Sequence, residues 1–448
     1  MNYLIWGLKK SGQASLDLLK RVDLLTNKID NRFYIFDDNV DIRSNFKNDD
    51  KNIILVDELT KRLILKMDKI ILSPAISINE QLVQFAKEQN IDVVGELELA
   101  YSYMDKTCTL VAITGTNGKT TTTELVYEIL KNAKIKCEKV GNIGIPFSSK
   151  VAQDEQNVVY VCETSSFQLE SCKTFHPNIA CLINISPDHL DRHNNMDNYL
   201  AVKKSIFSNQ NKYDYAIVPA SFNLATKSKK ITFGTKNDKK STIFVKNNAI
   251  FIKKRVFSRK ICNLDCCKNI GEQYIENALC AISIAKILGV KNKIIYNTLN
   301  HFLPNSHRLQ LVYLSKTGNK FFDDSKATNV ASTIKATKSF DSPTILLCGG
   351  SDKNCDFDDL FLDIPNNVQK IFVFGETADK LLSSHKKTNS NIPIEKCENL
   401  CQAVYLACQE QNKIILLSPA CASFDEFISY KERGEMFLKY IKDYYENF

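Results

Sequence analysis

The sequence predicts an α/β protein built of three doubly wound units, each a mostly parallel sheet wrapped by helices. Short runs of β-favouring residues alternate with amphipathic helical patterns along the chain, as strand–helix–strand repeats require. Turns carrying Gly, Ser, Thr and Asn follow several of these strands directly, at the edge where open α/β sheets bind ligands. The 448 residues are too many for one compact core, so roughly three domains of ordinary size are expected.

Composition narrows the class. With 44% hydrophobic and 25% charged residues the chain reads as a soluble globular protein. No apolar run approaches the roughly 18 residues that cross a bilayer, and the N-terminus lacks a signal-peptide layout, so a cytoplasmic protein without membrane attachment is expected. The 15 cysteines are scattered, often within apolar strands, which suggests buried free thiols. Cys262, Cys266 and Cys267 form a cluster, but no second Cys or His pair lies nearby to complete a zinc site. The net charge of +8 is local: Lys227 to Lys260 hold 12 Lys or Arg and one acid, leaving the remainder at −3. Alternation with Ile243, Phe244, Val245, Ile250, Phe251 and Ile252 reads as solvated hairpins with Lys outward, not as a nucleic-acid surface.

In the first unit, Tyr3 to Trp6 reads as a strand, Gly7 to Gly12 as a turn, Gln13 to Val22 as a helix and Phe33 to Phe36 as a second strand ending at Asp37. A dinucleotide fingerprint needs a central Gly where this chain has Lys9, which argues against NAD. A nucleotide-linked ligand fits better, with Lys9, Lys10 or Ser11 near its phosphates and Asp37 on a ribose or base. Ile70 to Leu72 and Ile91 to Val94 are further strands, ending at Ser73-Pro74-Ala75 and at Gly95.

The second unit opens on V-A-I-T-G-T-N-G-K-T-T-T-T-E, Val111 to Glu124. Thr109 to Ile113 form a strand, and Leu125, Val126, Ile129, Leu130 and Ala133 mark a helix. The intervening loop points backbone N–H groups outward at a helix N-terminus, where they bind phosphate. Gly115, Thr116, Asn117, Gly118, Lys119, Thr120 and Thr121 are thus candidate nucleotide contacts, with Lys119 on the terminal phosphates and the Thr120 hydroxyl on magnesium. The spacing is imperfect, since the first Gly of G-x-x-x-x-G-K-[ST] is Ile113. The strand Val158 to Cys162 delivers Glu163, a carboxylate placed for the same metal ion. The strand Ile179 to Ile185 delivers Asp188-His189-Leu190-Asp191-Arg192-His193, followed by a helix from Met196 to Phe207. Such polar density after a strand marks ligand binding or catalysis.

G-T-N-G-K-T, N-I-G at Asn142 to Gly144, E-T-S-S-F-Q-L-E and D-H-L-D-R-H together resemble the Mur ligases, ATP-dependent amide-forming enzymes of peptidoglycan synthesis. The form S-S-F-Q-L-E is most similar to the branch that adds D-glutamate to UDP-N-acetylmuramoyl-L-alanine. The resemblance covers nearly the whole chain. It implies a Rossmann-like UDP-substrate domain (1–97), a central phosphate-loop ATPase domain (98–306) and a Rossmann-like amino-acid domain (307–448), acting as a monomer. Two magnesium ions are implied, with Thr120, Glu163, His189 and a carbamylated Lys203 as ligands. The modification is chemically reasonable, because an ammonium repels Mg²⁺ whereas a carbamate offers it an anionic oxygen. Ser11, Asp37, Ser73, Asn142 and His189 are the implied contacts to the UDP substrate.

The family's G-x-H-N-x-x-N-A-L segment reads Gly271-Glu272-Gln273-Tyr274-Ile275-Glu276-Asn277-Ala278-Leu279, so Asn277 alone keeps its amide for the adenine side. In the last unit, Asp323-Asp324-Ser325-Lys326-Ala327-Thr328-Asn329 departs from N-D-S-K-A-T-N only at its first position. By resemblance Arg308 and Asp324 contact the nucleotide, and Lys326 lies near the transferred phosphate. The strands Thr344 to Cys348 and Ile414 to Leu417 end in Gly349-Gly350-Ser351-Asp352-Lys353 and in S-P-A-C-A-S. Thr328, Lys353 and Ser423 are the implied D-glutamate contacts, and Tyr430 replaces a frequent Phe. Catalysis is expected to rest on Lys119, His189, Lys203 and Lys326, with domain closure bringing the third domain's residues to the phosphate loop. A polyglutamate-adding ligase would share the ATPase core without needing a UDP-binding domain. A silent nucleotide switch would need neither Lys203 nor Thr328.

Overall fold

The computed structural model describes residues 1–27, 30–46, 50–236, 240–254, 257–267, 275–302, 306–353 and 355–446. Three sheets run through these residues. The first holds β1 (Asn2–Trp6), β2 (Arg32–Phe36), β3 (Ile53–Leu55), β4 (Lys69–Leu72) and β5 (Asp92–Gly95), all parallel in the order β3-β2-β1-β4-β5. The order reverses beside β1, which places a switch-point crevice at the turn after Trp6.

The central sheet holds β6 (Thr109–Thr114), β7 (Cys137–Gly141), β8 (Val159–Glu163), β9 (Ile179–Leu182), β10 (Tyr215–Pro219), β11 (Lys229–Gly234), β12 (Ile243–Lys246), β13 (Ala249–Lys254) and β14 (Phe257–Asn263). Its order is β14-β13-β12-β11-β10-β9-β6-β8-β7. Strands β6 to β12 pair in parallel, whereas β12-β13-β14 form the antiparallel ribbon expected for the basic stretch. Lys246, Lys253 and Lys260 are exposed there. The strand expected over Ile179 to Ile185 stops at Leu182, because Asn184 turns both its backbone and its amide to the phosphate loop. The expected helix from Met196 is α-helical to Lys204 and ends in a 3₁₀ turn, Ser205–Phe207.

The third sheet holds β15 (Gln310–Leu314), β16 (Lys320–Asp323), β17 (Thr344–Gly349), β18 (Val368–Phe374), β19 (Ile394–Lys396) and β20 (Ile414–Leu417) in the order β15-β16-β20-β17-β18-β19. Only β15 runs antiparallel. The chain divides into two compact units. One comprises residues 1–185, 197–266 and 276–301, and the other residues 186–196, 267–275 and 302–448.

Within the first unit one core runs from Ile5 and Leu19 to Leu110 and Phe147, and a second packs Leu4, Trp6, Ile70 and Val83 on the first sheet. Two carboxylates of the helix Glu96–Tyr103 fix the passage from the first sheet to the central one. Glu96 is fully buried and accepts the Ser148 N–H at 2.6 Å. Glu98 accepts the N–H groups of Lys173, Thr174 and Phe175 at 2.7–2.9 Å. A carboxylate satisfied by three backbone donors is a strong local anchor, since each charge-assisted bond exceeds a neutral one. All 15 cysteines are free thiols, most of them buried. Among the described residues no helix is long and apolar enough to cross a membrane.

Candidate nucleotide and amino-acid sites

Strand β6 ends on Thr114 and the chain turns through Gly115 into Gly118, which caps the helix Lys119–Asn132 at φ +82°. An L-residue would be strained there, and a Cβ would also stand 2.1 Å from Asn277 Oδ1. Asn184, just past β9, clamps the other side of the loop. Its Oδ1 accepts the Asn117 N–H at 2.9 Å, its Nδ2 donates to Asn117 O at 3.2 Å, and its carbonyl accepts the Thr116 N–H at 3.1 Å. The loop is therefore held in shape by amides and leaves its helix N-terminus as an anion site. The expected contacts Gly115, Thr116, Asn117, Gly118, Lys119, Thr120 and Thr121 are contiguous here. Asn277 sits against the glycine that starts the helix, its Nδ2 buried without a hydrogen-bond partner.

Two lysines converge on one loop carbonyl. Lys119 Nζ donates to Gly115 O at 2.8 Å and to Thr116 O at 2.9 Å. Lys203 Nζ donates to the same Gly115 O at 3.0 Å and to Thr114 Oγ1 at 3.4 Å. Lys203 is 1% exposed, unlike an ordinary lysine on a solvated helix face. Its neighbour Lys204 instead lies over the Phe222 ring. Tyr199, one helical turn before Lys203, places its ring 4.8 Å from Lys203 Nζ and its hydroxyl 3.2 Å from Thr116 Oγ1.

Glu163 closes β8, in register with Ile113 of β6 and Gly141 of β7. It is 1% exposed. Asn142 Nδ2 donates to its Oε1 at 2.8 Å, while Oε2 is buried with no hydrogen-bond partner. A buried carboxylate oxygen without a donor is costly unless a cation completes it. This orphaned oxygen, on the strand next to the phosphate loop, fits the magnesium ion that the resemblance implies. Among the described residues no group of three or more His, Cys, Asp or Glu side chains is gathered to hold a metal by itself. The hydroxyl of Thr120 and the phosphates of a nucleotide would have to complete the shell. His189, the further expected ligand, belongs to the second unit, whereas Glu163, Thr120 and Lys203 belong to the first.

In the first sheet, Asp37 accepts the Leu8 N–H at 2.6 Å and the Asn39 N–H at 3.0 Å. Its carboxylate thus shapes the turn after β1. Ser73 packs against Gly7, and Ser11 lies in the first turn of the helix Lys10–Thr26. Beside them Leu8, Gln13, Asp41, Ile42, Asn45 and Phe46 line an open cavity of 580 Å³.

In the second unit Lys353, one of the expected amino-acid contacts, meets Asp188, the carboxylate that opens the polar run after β9. Asp188 is 5% exposed and takes Lys353 Nζ at 3.3 Å on Oδ1 and Asn329 Nδ2 at 3.3 Å on Oδ2. Lys353 Nζ also reaches Thr328 O at 3.5 Å. The backbone N–H of His189 donates to Asp188 at 3.0 Å. Lys326 Nζ lies 5.3 Å from the Tyr430 ring centroid. Ser423 is buried at 2% exposure. Asp324 turns inward, accepting the Ser418 hydroxyl at 2.9 Å and the Leu309 N–H at 3.2 Å. Burial pushes its carboxyl up to about 7, against the pull of Ser418 and Arg308. The unusual Asp323 has a partner of its own, His307 Nδ1 at 2.6 Å. The altered segment Gly271 to Tyr274 lies outside the described residues.

A family model described as the Mur ligase middle domain matches residues 113–285. The UDP-N-acetylmuramoylalanine–D-glutamate ligase of Caldicellulosiruptor bescii is 35% identical over 456 residues, covering 99% of this chain and 97% of that protein. The ligase of the same name from Bacillus cereus is 36% identical over 450 residues, covering 98% and 96%. Among solved structures, the MurF ligase of Thermotoga maritima in complex with ADP aligns at a TM-score of 0.58 with 16% identity, covering 99% of this chain and 95% of that one. A pseudomurein peptide ligase type C from Methanothermus fervidus aligns at 0.59 with 18% identity, covering 98% and 99%. These structures share the fold.

Proposed function

The chain belongs to the Mur ligase family, and from that premise we propose that it joins D-glutamate to UDP-N-acetylmuramoyl-L-alanine at the expense of ATP, in peptidoglycan precursor synthesis. The observation that carries the reading is the phosphate loop with the orphaned Glu163 oxygen beside it, in a chain similar over nearly its full length to ligases of that name.

A carboxylate is a poor electrophile. Phosphorylation of the substrate's terminal L-alanine carboxylate by ATP supplies a leaving group, and the amine of D-glutamate then displaces phosphate to give the amide, ADP and phosphate. The loop N–H groups and Lys119 hold the phosphates; Lys119 exchanges its Gly115 and Thr116 carbonyls for phosphate oxygens, gaining charge-assisted bonds. Thr120, Glu163, His189 and a carbamylated Lys203 would hold magnesium, which would offset charge on the transferring phosphoryl group. Carbamylation of Lys203 would remove one of two cations crowding Gly115 O and replace it with an anion beside Lys119. Asn277 braces the loop, and Arg308, Asp324 and Lys326 serve the nucleotide and the transferred phosphate. Thr328, Lys353 and Ser423 take D-glutamate, while Ser11, Asp37, Ser73, Asn142 and His189 serve the UDP substrate. We place the domain limits at 97/98 and 306/307, and expect a cytoplasmic monomer.

Purified protein with ATP, Mg²⁺, UDP-N-acetylmuramoyl-L-alanine and a panel of amino acids tests the assignment by phosphate release. Stimulation by D-glutamate above L-glutamate, lysine and diaminopimelate is expected. Absence of that stimulation would sink it.

A further inference from the structure

We propose that Arg433 is the positioning residue of the amino-acid subsite: its buried guanidinium holds three substrate-facing loops in one register and thereby sets the affinity for the incoming amino acid. The inference rests on the reading above that Thr328, Lys353 and Ser423 take that amino acid.

Arg433 lies on the helix Tyr430–Glu446 and is 0% exposed. Its Nε donates to Ser325 Oγ at 3.0 Å, and its Nη2 to Ser325 O at 2.9 Å and Cys421 O at 3.0 Å. Its Nη1 donates to Ala422 O at 2.8 Å and reaches Gly349 O at 3.5 Å. These acceptors lie in the loops after β16 and β20 and at the C-terminal end of β17, three neighbouring strands of the third sheet. Each loop carries one expected substrate contact shortly beyond its acceptor: Thr328 after Ser325, Ser423 after Ala422, and Lys353 after Gly349. One side chain is thus common to the three.

The bonding pattern is not that of an ordinary structural ion pair. Among the described residues no carboxylate lies within 4 Å of the guanidinium, whose partners are carbonyls and one hydroxyl. Burial lowers its pKa to about 10, so it stays charged at neutral pH. Asp425 and Asp323 attract the guanidinium from beyond ion-pair distance, which offsets the cost of its burial only in part, and an anionic ligand nearby would offset more of it. The loop geometry favours such a ligand. Peptide planes are trans among the described residues, so the Ala422 carbonyl aimed at Arg433 directs the Ser423 N–H away from it, while Ala422 itself pairs with Ser351 in an antiparallel bridge. The result is a buried cation with one outward donor at Ser423, suited to an amino acid carrying a second carboxylate. The approach is close: a Cβ on Gly350 would stand 2.1 Å from Ala422 O and 2.9 Å from Arg433 Nη1. Lysine cannot replace this planar fork, because one ammonium cannot span acceptors on three loops.

The test is steady-state kinetics of the full chain with Arg433→Ala and Arg433→Lys, varying D-glutamate and ATP separately. The expected result is a rise in the D-glutamate KM of about 30-fold with the ATP KM within about twofold, partial recovery of Arg433→Ala by millimolar guanidinium, and no recovery by the lysine variant. Equal rises in both KM values, an unchanged D-glutamate KM, or failure of guanidinium to restore it would overturn the proposal. Should Arg433→Ala not fold, Ser325→Ala removes the Nε contact, and a D-glutamate KM raised about threefold is expected; an unchanged value overturns the proposal equally. Wild-type protein that responds to no amino acid refutes the functional reading, whereas a responsive wild type with an indifferent Arg433→Ala refutes only this inference.

Discussion

Gly118→Ala separates two reasons for a glycine at the start of the phosphate-loop helix. The first is backbone strain, since φ is +82° and an L-residue in the left-handed region costs about 1–2 kcal/mol. The second is steric: the new Cβ would lie 2.1 Å from Asn277 Oδ1 and 2.8 Å from its Cγ, on a side chain only 3% exposed. Displacing that buried amide adds roughly 1–3 kcal/mol, giving about 3 kcal/mol in all. Gly289 is the control, because its φ is +79° and a Cβ there meets nothing within 4 Å. Gly289→Ala should therefore show the strain alone. Thermal melting with and without ATP, together with titration calorimetry of ATP, reads both terms. Gly118→Ala should melt several degrees below Gly289→Ala and lose ATP affinity about tenfold, while Gly289→Ala binds ATP as wild type does. Equal melting losses and equal ATP affinities in the two variants would refute the claim that Asn277 braces the loop.

Lys203→Met and Lys203→Arg should each lower phosphate release by about 100-fold or more, and carbon-13-labelled bicarbonate should give a carbamate signal in wild type only. Activity within about threefold of wild type would remove the carbamate. Burial raises the Glu96 carboxyl from 4.5 to about 7; the folded state then keeps a proton that the unfolded chain has already released, so stability declines as pH climbs through that window and levels above it. Glu96→Gln should lack this decline, its melting advantage over wild type growing between pH 5 and about pH 7.5, and a constant gap would contradict the assignment. Gly434→Ala would bring a Cβ within 2.1 Å of His307 Nδ1 and 2.5 Å of Asp323 Oδ2. A loss of about 2 kcal/mol in denaturant unfolding is expected, shrinking when His307→Ala is added; strict additivity would show that the clash lies elsewhere.

The phosphate loop was legible because its chemistry is local: strand, Gly turn and helix start are consecutive, and Lys119 and Thr120 follow directly. Glu163 was legible for a similar reason, as a carboxylate at a strand's end. Asn184, Tyr199 and Arg433 were not. Asn184 acts on a loop 67 positions away, and no spacing rule links them. Tyr199 has the spacing of a core aromatic on its helix, and it is buried as one. Arg433 sits in a charged helix whose sequence resembles a solvated face, and only the meeting of β16, β20 and β17 buries it. Asp37 has a further part that its place after a strand did not reveal, since both its oxygens accept backbone N–H groups of nearby turns.

The most direct test of the central claim follows oxygen. UDP-N-acetylmuramoyl-L-alanine labelled with oxygen-18 in its terminal carboxylate is incubated with protein, ATP, Mg²⁺ and D-glutamate, and the released phosphate and the nucleotide product are weighed by mass spectrometry. Activation of that carboxylate by phosphorylation predicts one labelled oxygen per released phosphate and a product extended by D-glutamate through an amide. Unlabelled phosphate, or phosphate released with no amide formed, would contradict it.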